Sequence, residues 1–216
     1  MSNTQLISKL IDNHTGNFLF EDGKCILTYE ELKDQLLLPI GLQEGLSKEI
    51  SFKQLNWNKN SVQIIVQYLH LINNAIVPVL VDETRERNGD YPLELLQKYT
   101  VPPIKSQLDC ATILFTSGSS GTPKGVRLCL KNFIASAQST IAHYQMNKSD
   151  NWALSLPIYH IGGLMILWRS LLAGSSLTLT SPKDIIRDIV RNPQVTLISI
   201  VQLQLDRLVK SPEEVT

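Results

Sequence analysis

Residues 111–128 read ATILFTSGSSGTPKGVRL, and the architecture of the whole chain turns on them. The stretch opens on a short apolar run, Ala111-Thr112-Ile113-Leu114-Phe115, rich in β-formers and short enough for a buried strand. Residues 116–125 follow, holding three glycines, five Ser or Thr hydroxyls, one proline and one lysine. A second apolar stretch begins at Val126. Strand, hydroxyl- and glycine-rich loop, then strand is the arrangement a phosphate cradle requires. Glycines let the backbone turn and bring successive N–H groups close to an anion. Hydroxyls add rotatable donors, and Lys124 adds a compact positive charge. The spacing is not that of a Walker loop, which needs G-x-x-x-x-G-K-[ST] opening a helix. Counted from Gly118, Pro123 stands before Lys124 and Gly125 after it. A flexible Gly/Ser linker is the plain alternative, but linkers are rarely bracketed so tightly by apolar strands.

The 216 residues suit one domain, or two, with enough chain for a sizeable core. Hydrophobic residues make up 43% and charged residues 19%, an ordinary globular balance. Twenty basic and twenty acidic residues cancel, which speaks against non-specific nucleic-acid binding and against a basic membrane-surface patch. Cys25, Cys110 and Cys129 are widely separated with no C-x-x-C, as expected of structural thiols in a reducing compartment. The amino terminus, MSNTQLISKL, lacks the apolar core of a signal peptide. The longest apolar stretch, 161–173, is interrupted by Arg169 and too short to span a bilayer. A cytoplasmic location is expected.

Around the central stretch the periodicities alternate between strand and helix. Helical spacing is expected over 4–11, and a hairpin over 18–27 around the Asp-Gly turn. Thr28 with Glu31 three places on predicts a capped helix through about Leu38. Residues 41–60 are the least readable, with a strand indicated near Phe52. A Ser-capped helix is expected over 61–73, then a strand over 75–81 apolar enough to be covered on both faces. His70, within that helix, reads as a packing or surface residue. A charged loop (82–90), a short helix (92–99) and a Pro-rich connector (101–103) lead into the central stretch. Beyond it come a helix over 131–146, in which His143 suits the carboxyl-terminal dipole, and a strand over 152–156. The remainder alternates as helix 164–173, strand 176–180, helix 182–191, strand 195–200 and helix 201–210. Such alternation predicts an α/β fold, a parallel-rich sheet flanked by helices.

A second informative stretch is Pro157-Ile158-Tyr159-His160-Ile161-Gly162-Gly163. A proline before, two glycines after and an aromatic–His pair between place an imidazole at a strand end entering a helix. Ligands of open α/β sheets bind at such carboxyl ends. A lone histidine is more commonly structural, and placement alone does not settle its role. Arg169 then interrupts an otherwise apolar helix. Either it snorkels to the helix surface, or it points into a pocket and meets an anion in a bidentate fork.

The loop Thr116-Ser117-Gly118-Ser119-Ser120-Gly121-Thr122-Pro123-Lys124-Gly125 resembles, without a departure, the [ST]-[ST]-G-[ST]-[ST]-G-x-P-K-G signature of the acyl-adenylate-forming superfamily. That superfamily comprises acyl-CoA synthetases, luciferases and peptide-synthetase adenylation domains. Thr28-Tyr29-Glu30-Glu31-Leu32 is similar to a shorter element near the superfamily's amino terminus, while a G-D-x-V-x-I strand usual near 41–60 is not found. Pro157 to Gly163 resembles the superfamily's P-[LIM]-[FY]-H-x-x-G element. The longer run LPIYHIGGLMILWRSLLAG looks most like the o-succinylbenzoate–CoA ligases of menaquinone and phylloquinone biosynthesis.

The resemblance implies the amino-terminal part of the adenylate-forming enzyme fold, incomplete. Residues 1–100 would be a leading αβ region and 101–216 the phosphate-loop and acyl-pocket region, with the carboxyl-terminal domain absent. It implies an AMP-forming acid–CoA ligase that adenylates a small carboxylic acid with ATP and Mg2+, then makes a thioester with CoA as co-substrate. Thr116, Ser117, Gly118, Ser119, Ser120, Gly121, Thr122 and Lys124 would hold the phosphates, although a structural role for Lys124 is equally open. Tyr159, His160, Gly162, Gly163 and Arg169 would line the acyl site, His160 also sensing ATP or adenylate and Arg169 binding a second carboxylate. Gly162 replaces a family serine, which removes a hydrogen bond. Protein ligands for the metal are expected outside this chain, and the portion alone would not complete the overall reaction. A homo-oligomer is compatible with this reading. The alternatives are a non-catalytic nucleotide- or partner-binding module derived from the same fold, or a ligase for another aryl or fatty acid. A general nucleotide hydrolase is disfavoured by Pro123 and Gly125.

Overall fold

A computed structural model of the chain describes residues 5–21, 23–38, 52–57, 61–82, 110–116, 123–180 and 192–210. Their elements run α1 (Leu6–Leu10), β1 (Asn17–Glu21), β2 (Lys24–Thr28), α2 (Tyr29–Leu37), β3 (Phe52–Trp57), α3 (Val62–Asn73) and β4 (Val77–Asp82). After these come β5 (Thr112–Thr116), β6 (Lys124–Leu128), α4 (Leu130–Tyr144), β7 (Asn151–Leu154), α5 (Ile161–Ala173), β8 (Ser176–Leu179), β9 (Leu197–Ile198) and α6 (Gln202–Lys210). The expected loop at 82–90, helix at 92–99, connector at 101–103 and helix at 182–191 lie almost wholly outside the described residues.

Local chemistry explains the element boundaries. Gly23, at φ 75°, takes the left-handed turn conformation between β1 and β2, which pair antiparallel. Thr28 caps α2 in a reciprocal box: its Oγ1 accepts from the Glu31 N–H, and the Glu31 carboxylate accepts from the Thr28 N–H at 2.8 Å. Ser61 caps α3, whose inward face carries Ile65, Tyr68, Leu69 and Ile72. That helix ends through Asn74 and Ala75, the latter at φ 60°, so β4 starts at Val77, two residues later than the apolar run suggests. Val77 to Val81 are all buried, as a strand covered on both faces requires.

The strands form two sheets, β2-β1-β8-β7-β9 and β3-β4-β5-β6. Pairing is parallel at β1–β8, β3–β4, β4–β5, β7–β8 and β7–β9, and antiparallel in the hairpins β1–β2 and β5–β6. The parallel-rich α/β expectation holds, but the strands divide between two layers rather than one. Nothing local in the sequence encodes that division, because it depends on which distant strands pair. A shared apolar core that includes Tyr29, Leu69, Leu114, Phe133, Leu154, Trp168 and Leu177 runs between the sheets and helices. Cys25 is exposed, Cys110 and Cys129 are buried, and none of the three is in a disulfide.

Candidate active site

β4 and β5 run parallel, and both end at one edge of the four-stranded sheet, at Asp82 and Thr116. β6 returns antiparallel, pairing Lys124 with Thr116 and Gly125 with Phe115. An antiparallel strand, not a helix, thus begins at Lys124, as Pro123 and Gly125 indicated. Residues 117–122, which include Ser117, Gly118, Ser119, Ser120, Gly121 and Thr122, lie outside the described residues. At the hairpin's base the Thr116 hydroxyl donates to the Lys124 carbonyl at 3.4 Å, and both residues are exposed.

The second stretch lies at the carboxyl end of β7 in the other sheet. The His160 N–H donates to the Pro157 carbonyl at 3.1 Å, closing a turn, and the His160 carbonyl accepts from the Leu164 N–H at 3.0 Å, opening α5. His160 thus occupies the N-cap position, with extended backbone and no side-chain capping bond, so its imidazole is not consumed by the helix start. Its ring is exposed and lies 4.4 Å from that of Tyr159, tilted by 56°. Gly163 is a packing requirement: a Cβ there would run into the carbonyl oxygens of Leu156 and Pro157. Gly162 is less constrained, with only the Leu156 side chain 3.2 Å from where a Cβ would stand.

A cavity of about 420 Å3 joins the two stretches. One wall is the sheet face formed by Leu80, Asp82, Leu114, Thr116, Val126 and Leu128, with Phe115; the other is Tyr159, His160 and Ile161. Leu80 pairs with Leu114 and Leu114 with Val126, giving an apolar row across three strands. Two residues further along lie Asp82, Thr116 and Lys124, a polar row at the strands' ends. The arrangement offers a flat apolar slot whose rim carries hydroxyl, carboxylate, ammonium and imidazole groups. Among the described residues no set of three His, Cys, Asp or Glu side chains could hold a metal ion.

Of the residues singled out in the sequence, Thr116, Tyr159 and His160 line this cavity, and Lys124 stands beside Thr116. Gly162 and Gly163 shape the turn that presents His160. Arg169 does not line the cavity. Its guanidinium carbon sits 5.3 Å from the centre of the Trp152 ring, and its Nε is buried with no hydrogen-bond partner. Burial pushes its pKa below the ordinary guanidinium value, with Tyr144 acting in the opposite sense. Leu80, Asp82, Leu114 and Val126 were not singled out as site residues. Their signal was present in alternation along each strand and in position at the carboxyl ends, but reading it needs the pairing of the strands.

Comparison with known proteins identifies the family. The AMP-binding enzyme family matches residues 42–215. A 2-succinylbenzoate–CoA ligase of Bacillus subtilis (strain 168) is 37% identical over 148 residues, covering 67% of this chain and 28% of that ligase. The O-succinylbenzoate coenzyme A synthetase of Bacillus subtilis in complex with AMP superposes with a TM-score of 0.70 at 22% identity, over 97% of this chain and 65% of that one. The same synthetase in complex with ATP and magnesium ion gives a TM-score of 0.67 at 22% identity, over 94% and 64%. The chain thus spans well under half the length of the curated ligase it matches, and the structural likeness speaks for the shared fold. Among the described residues no helix is long and apolar enough to cross a membrane. With its loop signature, its strand-end cavity and four-fifths of its length inside the family profile, the chain belongs to the AMP-binding enzyme family.

Proposed function

We propose that this chain is the phosphate-loop and acyl-pocket portion of an ATP-dependent acid–CoA ligase, with o-succinylbenzoate as the acid. The observation that carries the reading is the cavity shared by the ends of β5 and β6 and the turn holding His160. In the first step a carboxylate oxygen attacks the α-phosphorus of ATP. The phosphorus–oxygen bond to the β-phosphate breaks, and pyrophosphate leaves with the electron pair. A thioester with CoA then releases AMP. The first step needs alignment and charge stabilisation more than covalent help from the protein. Thr116, Ser117, Ser119, Ser120 and Thr122, the backbone N–H groups around Gly118 and Gly121, and Lys124 would hold the departing pyrophosphate. Mg2+ supplies charge neutralisation on phosphate oxygens when bound, and it commonly takes only one or two protein carboxylates.

Tyr159 and His160 would face the adenylate from the opposite wall, with Gly162 and Gly163 fixing their turn. Arg169 stands outside this cavity, so its assignment to the second carboxylate of the acid follows from the sequence resemblance, with its buried Nε, without an acceptor among the described residues, in support. The ligase identity of the curated relatives supports the reaction class, and the synthetase bound to ATP and magnesium supports the nucleotide. The test is calorimetry of Mg·ATP on this chain and on Lys124→Ala, joined to pyrophosphate release by a polypeptide that also carries the remainder of the family fold. Dicarboxylic, aryl and fatty acids are compared with and without Arg169→Ala. Undetectable ATP uptake removes the nucleotide site. A dicarboxylate preference unchanged in Arg169→Ala removes the substrate.

A further inference from the structure

Behind the cavity, three buried polar side chains from three elements meet at one oxygen. The Trp168 Nε1–H of α5 donates to the Tyr68 hydroxyl of α3 at 3.0 Å, and that hydroxyl lies 2.9 Å from Thr112 Oγ1 of β5. Trp168, Tyr68 and Thr112 are each fully buried. An indole N–H can only donate, so the Tyr68 oxygen accepts from it, while the second contact runs between two hydroxyls. Phe133 of α4 stacks on Trp168, with ring centres 5.0 Å apart and planes 13° from parallel. The stack fixes the indole plane and keeps its N–H aimed at Tyr68.

The placement of this joint is the informative part. Thr112 begins the strand that ends at Thr116 on one wall of the cavity; at about 3.3 Å per residue the two lie ~13 Å apart. Trp168 stands on the helix that His160 opens on the other wall; at about 1.5 Å per residue they lie ~12 Å apart. The joint is therefore set back nearly equally along both walls, where one strand and one helix from different layers are tied to a third element. Both are extended, hydrogen-bonded elements, so a displacement at either end of one of them is carried along it toward the joint. A fully satisfied buried network also selects one packing arrangement over its near neighbours. Resting on the function proposed above, we propose that Tyr68 is a positioning residue: it couples the loop-bearing strand to the His160-bearing helix, so that occupancy at the loop is felt at the helix.

The test uses the 15N-labelled chain and reads the indole signal of Trp168 and the ring signals of His160, each assigned by substitution. Addition of Mg·ATP is expected to shift the Trp168 indole signal in the parent chain and in Thr112→Ser. In Tyr68→Phe the shift is lost, while the calorimetric Kd for ATP stays within about threefold, since Tyr68 touches no ligand. A second arm needs no nucleotide. Thr112→Val should displace the His160 ring signals when Tyr68 is present and leave them unmoved in the Tyr68→Phe background. An equal ATP-induced shift in Tyr68→Phe overturns the proposal, as does ATP binding with no indole shift in the parent. Additive effects of Thr112→Val and Tyr68→Phe on His160 overturn it too. Absence of ATP heat refutes the nucleotide site alone, and the substitution cycle still decides the coupling. If Tyr68→Phe does not fold, Thr112→Val against Thr112→Ser carries the first arm: an ATP-induced indole shift equal in the two overturns the proposal.

Discussion

Adding one methyl group at Gly163 should destabilise the chain, although glycine-to-alanine inside a helix ordinarily does the reverse. Helix propensity alone favours alanine by about 1 kcal/mol. At Gly163 the new Cβ meets two backbone carbonyls, those of Leu156 and Pro157, and backbone cannot rotate aside as a side chain can. Overpacking costs about 1–3 kcal/mol, and two backbone contacts place this case at about 2–3 kcal/mol, so a net loss of about 1–2 kcal/mol is expected. For a chain of this length that lowers Tm by about 2–8 °C. The neighbouring Gly162→Ala is the control, because its Cβ meets only the end of the Leu156 side chain at 3.2 Å. It should be neutral or stabilising by up to about 1 kcal/mol. Relief of the Gly163 clash would push α5 away from the Pro157 turn, stretching the His160-to-Pro157 hydrogen bond of 3.1 Å and turning the imidazole off the cavity. Thermal and urea unfolding of the two variants, followed by circular dichroism, gives the comparison. Equal or raised stability in Gly163→Ala would refute the reasoning, whatever Gly162→Ala does.

The other expectations concern separate parts of the molecule. Lys124→Ala should weaken Mg·ATP binding by about ten- to a hundredfold in calorimetry, the value of a charged hydrogen bond of ~1.5–3 kcal/mol, with Tm little changed because the side chain is exposed. Arg169→Met should leave stability within about 1 kcal/mol, since the lost stacking on Trp152 is offset by removal of a buried unpaired donor, while selectivity for a dicarboxylic acid is lost. Thr28→Ala should cost about 1 kcal/mol of cap stability at neutral pH. Hydrogen bonds from Thr28 hold the Glu31 carboxyl below its usual pKa, so the parent's advantage is full above the ordinary carboxylate range and shrinks as pH falls through the lowered value. Burial holds His14 below its usual 6.5, opposed by its bond to the Leu171 carbonyl and reinforced by Lys33. Protonation therefore favours the unfolded chain: the His14 contribution is complete above about pH 6.5 and is lost on acidification, and His14→Gln should flatten urea midpoints measured from about pH 7.5 to about pH 5.

Features set by neighbouring residues are legible in the sequence alone. The Thr28–Glu31 box, the Ser61 cap and the Asp-Gly hairpin each need only four or five consecutive residues to act, and each forms as read. That a strand and not a helix begins at Lys124 is also local, because proline and glycine flank it. The site's second wall is legible as a motif but not as a surface. Asp82 reads as the start of a charged loop, and only the parallel pairing of β4 with β5 brings it into line with Thr116. Arg169 shows the same limit from the other side. Nine residues at 3.6 per turn carry a side chain about half a turn round a helix, so it lies on a different face from the imidazole that anchors the motif. The division into two sheets is out of reach for the same reason, since β1 pairs with β8 across most of the chain.

That last pairing bears on how the protein comes into being. The imidazole of His14 rests on the Leu171 carbonyl, 157 positions later, and Tyr29 is anchored to Ser175, 146 positions later. A ribosome adding about 5–20 residues per second leaves the first hairpin and its aromatic side chains waiting ~10–30 s for the neighbours that cover them. Their docking waits on the synthesis of α5 and the residues that follow it, and until then the hairpin is the stretch a chaperone would be expected to guard.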